Sequence, residues 1–345
     1  MNPLRPVPIL SSLLLVLALA ACSDDHGDRG GEASTAIASQ GSDGCTVSPP
    51  AAGRTEVTMT SGGRERTYIR YVPQEMLPGK AVPLVLDLTA YSPASTEESF
   101  SGFTKADAAG RVKADDVGAV VITPEPVNGA GPLLTWNYVD KPGWTDDQLF
   151  VSDLLDDVEA AACIDTDRVL VMGFAVGGVF GSILACDQTD RFAALVTVSG
   201  LYNPTSCSPS KPLPVLSFHG TSDRFIPFDG GVGSGAGELG LTEETTAGML
   251  FMGRRDGALQ SSQAWADHDG CTVGPIDAPV TDGVTRKAWS GCTNGTVVEL
   301  YVIDGGEHTW PGSNGMDALT GLLGPVTDAV VANDVIWDFF EAHTR

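Results

Sequence analysis

The sequence predicts an α/β fold, a doubly wound and mostly parallel sheet with helices on both faces. Three observations carry this. Short apolar runs, too continuous for strands with one wet face, recur along the chain. Segments of helical periodicity separate them. From Cys45 onward no linker, repeat or low-complexity stretch interrupts the alternation, so a single domain, 45–345, holds it all.

Taken in order, Thr55–Thr60 and Thr67–Val72 read as two strands of a hairpin around Ser61-Gly62-Gly63. Pro83–Leu88 is nearly all apolar and suits a buried central strand, and Val117–Pro124 suits a second. Asp146–Ala162 has helical spacing, with Leu149, Phe150, Leu154, Leu155 and Val158 expected on one face. Val169–Gly173 is a third central strand, and a helix from Gly178 to Cys186 follows it directly. Phe192–Ser199 and Pro214–His219 are strands, Ser261–His268 a helix, and Arg286–Trp289 and Val297–Ile303 strands. Asp328–His343 closes the chain as an amphipathic helix, with Val331, Val335, Ile336 and Phe339 expected inward. Parallel sheets of this kind carry their sites at the C-terminal ends of the strands.

The first 21 residues stand outside this fold. Arg5 supplies a positive start, and Ile9–Ala21 is apolar apart from Ser11 and Ser12, too short for an ordinary spanning helix. The run ends Leu19-Ala20-Ala21-Cys22, which resembles the lipobox of bacterial lipoproteins, where the Cys is acylated and becomes the new N-terminus. The alternative is a plain secretory signal cut near Ala20 or Ala21. Residues 22–44, rich in Gly, Ser and Asp, read as a flexible tether. The expected location is the bacterial cell envelope through the Cys22 lipid, or the medium if Cys22 is not acylated.

Composition narrows the partners. The chain has 345 residues, 42% apolar, and a formal net charge of −24, which repels phosphate backbones and argues against a nucleic-acid partner. Anionic lipid heads are repelled equally, so a membrane is met only through Cys22. Without Cys22 six cysteines remain, and export permits disulfides. Fifteen pairings exist. The expected set is Cys271–Cys292 and Cys186–Cys207, which close local loops, with Cys45–Cys163 tying the start of the domain to its centre. No zinc-type C-x-x-C or EF-hand spacing occurs, so no metal and no cofactor is expected.

The chemistry gathers at strand ends. The third central strand runs through Gly173-Phe174-Ala175-Val176-Gly177 into its helix, the context of the nucleophile elbow G-x-S-x-G, with Ala175 in the middle place. His219-Gly220 leads to Asp223, and the strand ending at Ile303 leads to His308-Thr309-Trp310-Pro311-Gly312. The order is nucleophile place, acid, histidine. With Pro83–Leu88, Trp136-Asn137, Asp146-Asp147, Asp167-Arg168-Val169 and Phe192-Ala193-Ala194, this set resembles the secreted polyhydroxybutyrate-depolymerase and feruloyl-esterase family of α/β-hydrolases.

The resemblance implies roles. Asp223 would orient His308, and His308 would act as general base and then acid. The N–H of Val176 would be one oxyanion donor, and the loop after Leu88, at Tyr91, would bring the second. Trp144 and Trp310 would line a groove for an ester-bearing polymer or small ester, while Trp136 reads as core. Two departures stand out. Ala175 replaces the nucleophilic Ser, a loss worth on the order of 10⁶ in kcat. Thr89-Ala90-Tyr91 replaces the family's His-Gly. Two changes in separate parts of one site read as natural loss.

Three readings follow: an esterase fold that binds an ester without cleaving it, an active carboxylic-ester hydrolase using a water or another nucleophile, and an interaction lipoprotein. Ser182 reads as a packing residue and Ser199 as loop chemistry. Cys186 reads as a disulfide partner before a nucleophile, and Phe228–Gly248 as a surface loop.

Overall fold

The computed structural model describes residues 41–90, 94, 98–130, 133–138, 141–204, 207–239 and 256–343. The expected leader, Cys22, most of the expected tether and Tyr91 lie outside them. So does the end of the Phe228–Gly248 segment.

The fold begins before the expected boundary at Cys45. Gly41 bridges to Asp165, Ser42 N–H donates to Ile164 O at 2.8 Å, and Ser42 Oγ donates to Ala162 O at 2.8 Å. The last residues assigned to the tether are thus docked on the domain. Composition hides this because the contacts are backbone pairings and one serine hydroxyl, which a Gly/Ser sequence offers whether or not it is docked.

Strands β1 (Gly53–Ser61) and β2 (Arg64–Val72) form the expected hairpin. β3 (Val82–Leu88) is buried at every position. Helix α1 (Lys113–Val117) ends at Gly118 in the left-handed conformation, φ 67°, and β4 (Val120–Pro124) follows. Val117 therefore closes a helix and does not open a strand. A small two-stranded ribbon, β5 (Asn128–Ala130) and β6 (Leu133–Thr135), precedes α2 (Asp147–Ala161). Asp146 caps α2 by accepting the Leu149 N–H at 2.9 Å.

Then come β7 (Ile164–Phe174), α3 (Val176–Asp187), β8 (Ala194–Val198) and β9 (Val215–Gly220). They are followed by α4 (Ala258–His268), β10 (Val273–Thr281), β11 (Val284–Ser290), β12 (Val298–Ile303) and α5 (Ala332–Ala342).

Ten strands make one sheet in the order β1-β2-β4-β3-β7-β8-β9-β12-β11-β10. The six from β4 to β12 are parallel, and antiparallel pairs finish both edges. Side chains alternate between two cores. Leu84, Leu86, Leu88, Val169 and Val171 meet Phe150 and Leu154 of α2, Phe180 and Leu184 of α3 and Trp265 of α4. Val85, Leu170, Met172 and Phe174 meet Ile336, Phe339 and Phe340 of α5 on the other face.

Two expectations about facing fail locally, and one strand was not foreseen. Leu149 is 42% exposed, because it lies about half a turn round α2 from the stripe of Phe150, Val151, Leu154 and Val158. Val331 is exposed because it is the residue before α5 and not part of its inner face. β10 had no apolar alternation to reveal it; it is an edge strand, exposed along nearly its whole length and carrying two prolines.

Three disulfides join Cys45–Cys163, Cys186–Cys207 and Cys271–Cys292, the pairs expected. A thiol role for Cys186 is thereby closed.

Candidate active site

The elbow forms where β7 runs into α3 without a loop. Ala175 sits at φ 51°, ψ −119°, a conformation most residues avoid. Its N–H donates to Val198 O at 2.9 Å and its C=O accepts from Val179 N–H at 3.1 Å, so strand and helix hold it from both sides. The turn is tight enough that a Cβ on Gly177 would run into the Leu88 and Thr89 carbonyl oxygens. Ala175 is buried, and its methyl offers no nucleophile. Val176 is the first residue of α3, so its N–H has no acceptor within the helix and stands at the positive end of the dipole.

After β9, the turn Thr221-Ser222 brings in Asp223, which is buried. Its Oδ1 accepts the N–H groups of Phe225 and Ile226 at 2.9 and 2.8 Å. Its Oδ2 lies 2.8 Å from His308 Nδ1 and 3.6 Å from His219 Nε2. Burial pushes the Asp223 carboxyl up. The His308 charge and hydrogen bond, the nearby His219 and the Ile226 N–H outweigh it and hold the pKa down at about 2. Asp223 is therefore ionised at neutral pH and has no proton to give. The shared proton belongs to His308 Nδ1, and Nε2 is the ring nitrogen turned away from Asp223. Phe174 and Phe225 flank the imidazole, with ring centroids 4.7 and 5.2 Å away.

Two supports were not assigned roles in the sequence. His219 Nε2 meets Ile226 O at 2.7 Å, pinning the turn whose N–H groups hold Asp223. Trp136 is buried as expected, yet it does more than pack. Its Nε1–H donates to Thr89 O at 2.8 Å, and its ring stacks on Phe180 at 4.8 Å and 8°. The segment entering the expected oxyanion loop is thus held from α3. Behind it, buried Asp147 pairs with Arg66 at 2.8 Å and accepts Asn137 N–H at 2.7 Å and Asn128 Nδ2–H at 2.8 Å. Only the pairing of Trp136-Asn137 with Asp146-Asp147 hinted at this network.

The groove expectation is half corrected. Trp310 is fully buried, its Nε1–H donating to Asn333 Oδ1 at 3.0 Å, and it lines no groove. An indole whose N–H is satisfied inside the core behaves as a packing residue. Trp144 is half-buried and lines a surface cavity. Ser182 Oγ donates to Gly178 O at 2.8 Å and accepts Tyr202 N–H, a packing role as expected. Ser199 is buried at φ 53°, on the strand end beside the elbow.

The order β7-elbow, Asp after β9, His after β12, on a mostly parallel sheet, defines an α/β-hydrolase fold. No protein-family model matches the chain. It is similar to feruloyl esterase B of Piromyces equi, 29% identical over 254 residues, covering 70% of this chain and 42% of that protein. It is similar to feruloyl esterase C of Emericella nidulans, 26% identical over 206 residues, covering 58% of this chain and 61% of that protein. The chain therefore spans about half the length of these curated relatives. Among solved structures it resembles an acetyl xylan esterase from Aspergillus awamori, with a TM-score of 0.54 and 11% identity over 83% of this chain and 99% of that one. That likeness establishes the fold.

Proposed function

We propose that this chain is an esterase-type α/β-hydrolase that has given up serine-esterase chemistry and binds an ester-bearing polymer at the cell envelope. The observation that carries the reading is Ala175, held at φ 51° on the elbow while Asp223 and His308 keep a 2.8 Å hydrogen bond. An acid–histidine pair without a side-chain nucleophile at the elbow cannot form an acyl-enzyme. The relatives named feruloyl esterase favour an acylated polysaccharide over a polyester as the ligand. The three disulfides favour an oxidising compartment. Attachment through Cys22 is part of the same proposal, and a fatty-acid label that persists on Cys22→Ala would refute it.

Ester hydrolysis tests the core of the reading. Wild-type protein is expected to leave p-nitrophenyl acetate and methyl ferulate at the background rate. Ala175→Ser is expected to raise kcat/KM by roughly 10³-fold or more, because Asp223 and His308 already share a 2.8 Å hydrogen bond; continued inactivity would implicate the Thr89-Ala90-Tyr91 loop. Wild-type turnover that disappears in His308→Ala would overturn it in favour of a water-based hydrolase.

A further inference from the structure

The sheet has two edges, and they are finished differently. β10 carries Pro275 and Pro279, which have no N–H to donate, and its register with β11 shifts twice. Such features blunt an edge against further pairing. β1 has neither. It is nine residues long, contains no proline, and keeps an unbroken register with β2 from Gly53↔Val72 to Ser61↔Arg64.

The hairpin turn fixes which backbone groups of β1 are open. Gly62 and Gly63, at φ 57° and 74°, make a two-residue loop, so the flanking Ser61 and Arg64 form a hydrogen-bonded pair. Alternation then turns the N–H and C=O groups of Thr55, Val57 and Met59 toward β2. Those of Arg54, Glu56, Thr58 and Thr60 point to the outer edge. Among the described residues no strand and no backbone hydrogen bond takes them up. The same four side chains are exposed, and Arg54 is turned to Glu98 of its own chain at 2.8 Å. Val57 and Met59 lie on the other face, half-buried against a core that stops at this strand.

The sequence of the strand selects its partner. An antiparallel copy centred on Val57 sets Val57 against Val57 of the second copy and Met59 against its Thr55, so the apolar strip continues across the junction. On the exposed face it sets Glu56 against Thr58 and Arg54 against Thr60, and no like charges stand opposite each other. All four open residues pair in this register, which gives about eight interchain hydrogen bonds. A slide of two residues one way puts Glu56 against Glu56, and the other way puts Arg54 against the Gly62 turn.

We propose that β1 is a homodimer interface. Two copies pair through their β1 edges across a two-fold axis at Val57 and join their ten-stranded sheets into one. The contact is independent of the chemistry proposed at Ala175. A net charge of −24 on each chain opposes the approach of a second copy, so salt strengthens the pairing.

Sedimentation velocity and an engineered crosslink test this on the full-length chain. Wild type should show a monomer–dimer equilibrium by about 200 μM, with the dimer fraction rising between about 0.05 and 0.5 M NaCl. Thr58→Glu faces Glu56 of the second copy at two symmetric places and should weaken the dimer by about tenfold or more. Adding Glu56→Lys to it turns both repulsions into attractions and should restore the dimer. Val57→Cys should oxidise to a disulfide-linked dimer, because a non-hydrogen-bonded antiparallel pair brings its Cα atoms to about 4.5 Å. Thr60→Cys, which faces Arg54, should not. The proposal is overturned by a wild type that stays monomeric at both salts, or by a dimer that Thr58→Glu leaves intact. Association through the apolar run Ile9–Ala21 would give the latter result. Crosslinking of Val57→Cys no better than that of Thr60→Cys would equally overturn it.

Discussion

Asp223 is held in its ionised form by His308, His219 and two backbone N–H groups, and that arrangement has a pH signature. Its folded pKa of about 2 lies below the ordinary 3.8, so the stabilisation is fully present above about pH 4 and is lost as pH falls toward 2. The amount is roughly 2 kcal/mol. Urea midpoints measured from pH 5 down to pH 2 should fall less steeply in Asp223→Asn than in wild type. Asp269, at the C-terminus of α4, behaves in the opposite sense. It is fully buried, and burial raises its carboxyl to about 6, only partly offset by the Leu213 N–H at 3.1 Å. The folded state therefore binds its proton more tightly than the unfolded chain does, and stability falls as pH rises from about 4 through 6. Asp269→Asn keeps the acceptor for Leu213 and removes the buried charge. It should raise the Tm at pH 7.5 and leave it nearly unchanged at pH 4, readable by differential scanning calorimetry.

At the scale of elements, the elbow works because three segments share one small space. β7 delivers Ala175, α3 starts at Val176, and the end of β3 lies against Gly177. Trp136 closes the arrangement by bonding Thr89 O while stacked on Phe180 of α3. Trp136→Phe retains most of the stack and leaves a buried carbonyl without its donor, at a cost of about 1–3 kcal/mol. Its more telling effect belongs in the Ala175→Ser background. If Trp136 positions the segment entering the oxyanion loop, kcat should fall while KM changes little. A fall in stability alone, with kcat intact, would make it a packing residue only.

Across the whole molecule, the disulfides differ in what they close. Cys45–Cys163 spans 118 residues of sequence and ties the start of the domain, at Gly41–Cys45, to the residues leading into β7. Cys271–Cys292 spans 21 residues and clips the loops at one end of the β10–β11 pair. Loop-closure entropy makes the first worth about 5 kcal/mol and the second about 3. The double variant Cys45→Ala/Cys163→Ala should therefore lose more in thermal midpoint than Cys271→Ala/Cys292→Ala, and equal losses would contradict the entropic account.

How far this protein could be read in advance depended on whether a residue's role is written in its neighbours along the chain. The central strands were legible because burial on both faces demands unbroken apolar runs, as in Val82–Leu88 and Val169–Phe174. The turn at Ala175 was legible because strand, tight turn and helix follow each other without a gap, and Asp223 and His308 because each lies in the loop just after a strand. The misreadings at Leu149, Val331 and Trp310 share a cause: an apolar side chain does not state which way it faces. β10, on the edge, had no partner face to leave a pattern. By itself the sequence determined the alternation of strands and helices and the order of Ala175 at a strand-to-helix turn, Asp223 and His308, because these are local or ordered along one chain. Only the tertiary structure decided that His219 and Trp136 brace the site and that Arg66 and Asp147 meet in the core. Those are contacts between residues distant in sequence, and close packing, not local periodicity, brings them together.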